Sequence, residues 1–505
     1  MATTKIWHDE TALVSNFQNL SFSTDFGGKL TINIKGDKNN THFTLNIIVN
    51  GENKSSNNFN LKNGEIHTIQ YNMTENGTID ITGSIRGALF AFPPYSGNIE
   101  ATLTTPDLTF NSWMTNDPFI QNSTLKQITI PGAHDAGMGK ITSSTEDSTT
   151  NITKTQAYSF KQMLDAGVRY FDVRPVIKEN DTNDTFYLGH YTWIGDYSEE
   201  KPKNIQYTIE QNILGKKNLK NQGCTGYSLE EVLNDVNNFI LENENNKEII
   251  ILKISHAMDL KDDNVNHSSL NANKTQDLVG KIKEKLGNHF FISNSKDPNN
   301  PEIINTPIKE MTKNGTRVII TLENYNITPM QGIYTQDSLN LFDSYSDINN
   351  FDVMKNDQFK KMSENANSSY FLLSWTLSQS YEEIILNAKL SQFEEKYPIL
   401  KGIISNIRKN NYHLANIQPS IDIINNDKDI EQDIKSILIQ ILTDISQGQN
   451  LYTIEDLADK ANSHLNDILN EVKSTNKYPN IIYTDFINSN MTKLSMEINQ
   501  LRQGK

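Results

Sequence analysis

"SLEEVLNDVNNFILENENNKEIIILKISH" (residues 228–256) sets two kinds of secondary structure back to back. Ser228 and Glu231 make a capping box, in which hydroxyl and carboxylate each satisfy a free N–H of the first helical turn. Leu229, Val232, Leu233, Val236 and Ile240 then share one face at helical spacing. From Lys247 the rhythm changes. Ile249, Ile250, Ile251, Leu252 and Ile254 form a nearly continuous apolar run, the mark of a parallel strand covered on both sides.

The unit repeats. "GTRVIITLEN" (315–324) and "SSYFLLSWTLSQ" (368–379) read as further buried strands, and the capped helix "TIEDLADKANSHLNDIL" (453–469) precedes a last one, "PNIIYTDF" (479–486). Repeated βα units of this size predict an α/β fold, a (β/α) TIM-type barrel, over residues 106–505. A polar, helix-rich insertion at about 381–450 comes before the last strand. Its clearest helix, "DIKSILIQILTDI" (433–445), carries Ile434, Ile437, Leu438, Ile441, Leu442 and Ile445 on one stripe. It reads as a hairpin packed on the barrel, or as a lid or partner-binding element.

Residues 1–105 follow a different period. "KLTINIKG" puts Leu30, Ile32 and Ile34 on one face, and "HFTLNIIVNG" does the same with Phe43, Leu45, Ile47 and Val49. Alternation of this kind marks strands with one wet side. Asn50-Gly51 and Asn76-Gly77 suit hairpin turns, so a small N-terminal β-sandwich is expected.

Composition narrows the function classes. A formal net charge of −15 over 505 residues argues against nucleic acid, whose phosphates need a basic surface, and against long-range attraction to anionic membranes. No apolar run is long enough to cross a bilayer. "MATTKIWHDETALVSNF" lacks the basic and apolar regions of a secretory signal, so the expectation is a cytoplasmic protein, leaderless export or a removed leader. The lone Cys224, in "QGCTGYSLEE" before the helix start, reads as a buried structural thiol.

Four short pieces stand at the carboxyl ends of predicted strands, where barrel enzymes keep their chemistry. They are "IPGAHDAG" with His134 and Asp135, "GVRYFDVRP" with Asp172 and Arg174, "YLGHYTWIG" with His190, and "IIYTDFINS" with Asp485. Histidine exchanges protons near neutral pH, and arginine offers a fixed fork of donors to a phosphate. Asp485, if it accepts from His134, fixes that ring's tautomer. In "TIPGAHDAGMGK" (129–140), Gly137 and Gly139 are expected to let a phosphate approach the main chain. Singly, each residue has a plain structural reading: a histidine in a turn, an ion pair between Asp172 and Arg174, a cap at Asp485. The combination in this order is what points to catalysis.

The series "IPGAHDAG", "AGVRYFDVRP", "LGH", "KEIIILKISH", "FLLSWTLSQ" and "YPNIIYTDF" resembles the bacterial-type phosphatidylinositol-specific phospholipases C, members of the PLC-like phosphodiesterases with an X-domain barrel. The resemblance spans roughly 110–380 and 451–490, leaving out the sandwich and the insertion. It implies that His134 is the base taking the proton of the inositol 2-hydroxyl and that Arg174 stabilises charge on phosphorus. His190 would protonate the departing diacylglycerol oxygen with Asp135 supporting it, Asp172 would hold Arg174, and Asp485 would orient the base.

The resemblance bears on metal and substrate too. Calcium-dependent relatives carry an Asn after the first His and a Glu-x-Asp in the strand. This chain has Asp135 and Asp172-Val-Arg174, and an arginine repels a cation, so no metal and no cofactor are expected. Lys253, Ser255 and His256 in "KISHAMD", Asp337 in "YTQDSLN" and Glu323 or Asn324 in "TLENY" are candidate substrate contacts. Relatives often keep a basic group where Glu323 or Asn324 stands, and His256 reads equally as a core histidine. Trp193 and Tyr197 are candidates for lipid contact at the rim.

The expected partner is therefore a phospholipid at a membrane surface, with no transmembrane segment and no nucleic acid. The leading expectation is cleavage of phosphatidylinositol, or a glycosylated form of it, to diacylglycerol and a cyclic inositol phosphate. The alternatives are the same chemistry on another phospholipid or glycerophosphodiester, and a non-catalytic barrel whose sandwich binds a membrane or glycan. "ALFAFPPYSG" (88–97) is the sandwich's most apolar loop candidate.

Overall fold

The computed structural model describes the strands between residues 2 and 104 together with Lys62 and Glu65. It then describes 110–145, 148–193, 221–261, 270–295, 302–323, 326–327, 330–380, single residues between 383 and 403, 418–446 and 452–504. The chain divides into two compact units, Met1–Thr109 and Phe110–Lys505. Tyr197, Asn324 and most of the 88–97 loop lie outside the described residues, as does the side chain of Trp193.

The first unit holds two antiparallel sheets. One runs in the order Ala2–Asp9, Gly97–Thr104, Gly28–Gly36, Ile66–Met73. The other runs Val14–Asn16, Gly77–Arg86, Thr41–Val49, Glu52–Leu61, with Leu20–Thr24 also paired to Gly77–Arg86. Leu30, Ile32 and Ile34 are fully buried, as are Phe43, Leu45 and Ile47, while Thr31 and Asn33 between them are half-buried. The period-two reading holds, and the unit is a sandwich.

The second unit carries eight parallel strands. Their order is Ile333–Thr335, Arg317–Leu322, Ile249–Ile254, Tyr170–Val173, Ile130–Ala133, Ile481–Thr484, Tyr370–Ser374, Leu341–Phe342. Laid flat, seven steps of about 4.8 Å would separate the end strands by about 34 Å. The chain crosses from Thr335 to Leu341 in six residue steps, a reach of about 20 Å at most. The sheet must therefore curl, and the fold is the TIM-type α/β barrel. The two end strands are only three and two residues long and are joined by a 3-10 turn, Gln336–Leu339, where a regular unit has a helix.

Both faces of these strands are buried, by different partners. Ile250, Leu252 and Ile254 pack outward with Leu229, Val232, Leu233 and Val236 of the helix Leu229–Glu242. Ile249 and Ile251 belong to the inner cluster with Ile130, Tyr170, Ile319, Leu372, Ile481 and Tyr483. Continuing the inner face two residues at a time leads from Ile251 to Lys253 and Ser255, and from Tyr170 to Asp172 and Arg174. The same step leads from Ile130 to Gly132 and His134, and from Ile481 to Tyr483 and Asp485. The top inner layer is thus polar on every one of these strands. At the opposite end Arg169 and Glu248 form a fully buried ion pair at 2.8 Å. Its remaining donors reach the carbonyls of Leu164, Val168, Phe110 and Asn111, and Glu248 Oε1 accepts from Thr115 N and Oγ1.

Two elements depart from the sequence reading. His190 is not at the end of a barrel strand. It lies within Phe186–Trp193, in a second, five-stranded sheet ordered Ser143–Ser144, Asn221–Ser228, Phe186–Trp193, Pro175–Ile177, Met258–Asp259. Only eight residues, Lys178–Thr185, separate Pro175–Ile177 from Phe186–Trp193, too few for a parallel crossover, so the chain turns back antiparallel. The helix expected at 453–469 is two helices, Ile454–Asn462 and Leu465–Thr475, broken at His464, whose ring packs 4.2 Å from that of Phe351. In the insertion, the helices Gln418–Asn426 and Gln432–Ser446 share a small core of Leu390, Tyr397, Leu400, Ile424, Leu438, Ile441 and Leu442.

Candidate active site

Three strand ends place the first group. His134 and Asp135 follow Ile130–Ala133, Asp172 lies one residue inside the end of the neighbouring Tyr170–Val173 with Arg174 just beyond it, and Asp485 follows Ile481–Thr484 on the other side. Asp135 and Phe486 take positive φ, 41° and 45°, which turns the chain sharply where each strand leaves the barrel. Gln156 ties the two turns together. Its amide donates to His134 O (2.7 Å) and Thr484 O (3.2 Å) and its carbonyl accepts from Ile487 N. Thr155 Oγ1 donates to Asp135 O (2.9 Å).

Hydrogen-bond arithmetic fixes the protonation of His134. Arg174 Nη2, which can only donate, lies 2.8 Å from His134 Nε2, so that nitrogen accepts. Nδ1 then carries the proton and donates to Asp485 Oδ1 at 2.7 Å. Burial opposes charging this ring, yet the Asp485 carboxylate raises its pKa above the ordinary value. Arg174 sets both Nε and Nη2 at 2.8 Å from Asp172 Oδ2. Tyr483 donates to that oxygen at 2.7 Å, and Ser255 Oγ donates to Oδ1. Burial would push Asp172 up, but Arg174 and then Lys253 hold it well below the usual carboxylate range.

His190 enters from the second sheet. Its Nδ1 faces the Thr153 carbonyl (3.1 Å) and Asp135 Oδ2 (3.4 Å), and Asp135 Oδ2 is 3.6 Å from Arg174 Nη1. Neither carboxylate oxygen of Asp135 has a hydrogen-bond partner. Burial pushes Asp135 up to about 7, and burial together with Arg174 and His134 lowers His190 to about 3. The two lie against each other, the carboxyl favoured in its protonated form and the ring in its neutral form. His134, His190 and Arg174 keep 21%, 25% and 15% of their side chains exposed, while Asp135 and Asp172 keep 0% and 1%. The first three are the groups a ligand can touch.

The other candidates fall apart by role. Lys253 and Ser255 are buried, with Lys253 Nζ paired to Asp343 Oδ2 at 2.6 Å and Ser255 committed to Asp172; both support the site from beneath. His256, half-exposed and at φ 48°, donates its N–H to Glu323 Oε2 (2.7 Å) and sets Nδ1 3.1 Å from Ser255 Oγ. Asp337 is exposed on the turn Gln336–Leu339, whose Leu339 packs with the lower inner cluster, and no described contact joins it to the site. Gly137 and Gly139 serve packing. A β-carbon on Gly137 would lie 2.1 Å from Leu188 Cβ in the His190 sheet, and one on Gly139 2.2 Å from Tyr158 O, so the loop seats against that sheet and against the segment before the helix Phe160–Asp165 only without side chains there. Cys224 is buried in the strand Asn221–Ser228, 3.6 Å from Ser148 Oγ, and burial raises its thiol pKa.

Sequence reasoning missed Tyr483, Asp343, Thr155 and Gln156. Tyr483 was within reach, two residues before Asp485 on the same inner face. Thr155 and Gln156 lie in an irregular segment with no period to read. Among the described residues no cluster of His, Cys, Asp or Glu is arranged to hold a metal ion.

No protein-family model matches the chain, and no curated protein does. Among solved structures, it is similar to a phosphatidylinositol-specific phospholipase C from Listeria monocytogenes at 16% identity, covering 77% of this chain and 98% of that one, with a TM-score of 0.41. It is similar to a phosphatidylinositol-specific phospholipase C from S. aureus at 11% identity, covering 77% and 97%, with a TM-score of 0.41. A carbohydrate-binding module solved with calcium and xylotriose matches at 15% identity over 21% of this chain and 99% of that one, with a TM-score of 0.15. All three likenesses are distant.

Proposed function

We propose that the chain is a metal-independent phosphodiesterase of the phospholipase C type, acting on phosphatidylinositol or a glycosylated form of it. One observation carries the reading. A guanidinium sits against one imidazole at 2.8 Å and is linked to a second through Asp135, at 3.6 and 3.4 Å. Two proton carriers flanking one phosphate-binding fork is what transfer of a phosphoryl group between two oxygens requires.

In this reading the incoming phosphate draws Arg174 away from His134 and bares Nε2. That nitrogen removes the proton of the 2-hydroxyl, whose oxygen attacks phosphorus; the bond to the glycerol oxygen breaks, and His190 Nε2 protonates it. Attack from within the substrate gains the proximity advantage of an intramolecular reaction. Arg174 faces the charge that builds on phosphorus, worth about 3 kcal/mol by analogy with a single oxyanion donor. The negative phosphate also favours the charged form of His190, so the resting, neutral ring acquires its proton with substrate in place. The metal-independent part rests on Arg174 occupying the space between the carboxylates of Asp135 and Asp172, where a cation would need to sit.

The substrate is expected at a membrane surface, and no helix among the described residues is long and apolar enough to cross one. A second reading keeps the mechanism and changes the substrate to another phospholipid or a glycerophosphodiester. Glu323 favours it, as an acid where a basic group is common. The test is diacylglycerol release from phosphatidylinositol vesicles in excess chelator. Wild type should turn over and His134→Ala should lose all measurable activity. Turnover only after adding calcium would overturn the metal assignment, and no turnover under either condition would overturn the enzyme.

A further inference from the structure

His256 is a third imidazole at the barrel mouth, and the proton transfers above do not use it. Its neighbours fix its chemistry. Asp172 is held ionised by Arg174 and only accepts, so Ser255 must spend its single proton on Asp172 Oδ1. Ser255 Oγ is left with acceptor capacity alone, and His256 Nδ1, 3.1 Å away, must donate to it. The neutral ring therefore has a proton on Nδ1 and a bare lone pair on Nε2.

The backbone adds a second observation. His256 holds φ 48°, a left-handed conformation that side chains rarely adopt, and its N–H is pinned by Glu323 Oε2 at 2.7 Å. A glycine would meet that geometry with less strain. The chain instead keeps a ring there with 53% of its side chain exposed, two residues beyond the barrel strand Ile249–Ile254 and one hydrogen bond from the residue that holds Asp172. Strain persists where the surroundings impose it, and it gathers at ligand sites. A core histidine would bury its whole ring against partners; this one anchors Nδ1 on Ser255 and keeps half of its side chain exposed.

We propose that His256 is a specificity-determining residue whose Nε2 accepts a hydrogen bond from a hydroxyl of the substrate's alcohol portion, which selects a polyol over a plain alcohol. The proposal rests on the phosphodiesterase reading of the same site. It deepens that reading by assigning the phosphate to Arg174 and a headgroup hydroxyl to His256. Burial, followed by the Arg174 charge, lowers the His256 pKa, which keeps Nε2 an acceptor at neutral pH.

The test is binding, without turnover. Affinities for inositol 1-phosphate and for inorganic phosphate are measured by calorimetry on the full chain, wild type and His256→Asn. Asparagine tolerates positive φ and keeps a donor toward Ser255, but it removes the Nε2 acceptor. The expected result is a loss of about 5- to 10-fold for inositol 1-phosphate, the size of one neutral hydrogen bond, with inorganic phosphate changed by less than about 2-fold. Equal losses for both probes would mean that His256 acts only through Asp172 and Arg174, and would overturn the proposal. So would no loss for either, or a wild type that does not prefer inositol 1-phosphate. Should the variant fail to fold, the 15N resonance of His256 Nε2 in wild type serves instead. It must shift toward a hydrogen-bonded value with inositol 1-phosphate and stay put with inorganic phosphate. Discrimination in binding without cleavage of phosphatidylinositol would remove the catalytic reading and leave this one standing.

Discussion

Asp135 is where stability and chemistry pull apart. Its carboxylate is fully buried with neither oxygen hydrogen-bonded, and its folded pKa of about 7 stands above the ordinary 3.8. The folded state therefore holds a proton that the unfolded chain has released, and stability intact below pH about 4 is lost as pH rises toward 7. At about 1.4 kcal/mol per unit, the full ionised penalty is on the order of 4 kcal/mol. Asp135→Asn should accordingly be more stable than wild type at pH 8 by that order, with the gap closing at pH 4.5, while kcat falls. Urea midpoints at the two pH values decide it, and an equal gap at both would refute the assignment. The six polar residues proposed for catalysis were legible because five of them lie at or just beyond the ends of buried strands at readable spacing. Tyr483 was not singled out, because a tyrosine in an apolar strand looks like core until its hydroxyl is found on Asp172.

The element that carries His190 is the least legible part of the site. "YLGH" reads as another buried strand, and only the length of the link before it reveals an antiparallel return. The strands Ile333–Thr335 and Leu341–Phe342 are too short to show any period. How the His190 sheet seats on the loop after His134 depends on glycine. A β-carbon on Gly226 would lie 2.1 Å from the carbonyl oxygen of Gly137, and a main-chain atom has no rotamer by which to yield. Gly226→Ala should therefore move the strand Asn221–Ser228, which pairs with His190 through Cys224. We expect a loss of about 1–3 kcal/mol in urea unfolding, as for other overpacked sites, and a fall in kcat well beyond the fraction unfolded. A variant with wild-type kcat would show that the hairpin and the loop are not coupled.

Across the whole molecule, alternation in residues 1–105 and continuous apolar runs after them were enough to read a sandwich followed by a barrel. What the sandwich does left no such trace. The net charge of −15 bears on how the protein would meet the substrate proposed for it. Phosphatidylinositol is anionic, so repulsion should weaken approach at low ionic strength and fade as the Debye length shortens. Binding to vesicles rich in phosphatidylinositol should tighten severalfold between about 20 and about 300 mM salt in a co-sedimentation assay, and weakening would reveal a basic docking surface. The proposed reaction has His134, Arg174 and His190 act on one phosphorus atom that is attacked from within the substrate. Phosphorus NMR of the first soluble product from phosphatidylinositol, in excess chelator, tests it most directly. The expected result is a cyclic phosphodiester resonance that precedes any monoester and is absent with His134→Ala. A linear phosphomonoester as the initial product, or the same cyclic product formed at the wild-type rate without His134, would contradict it.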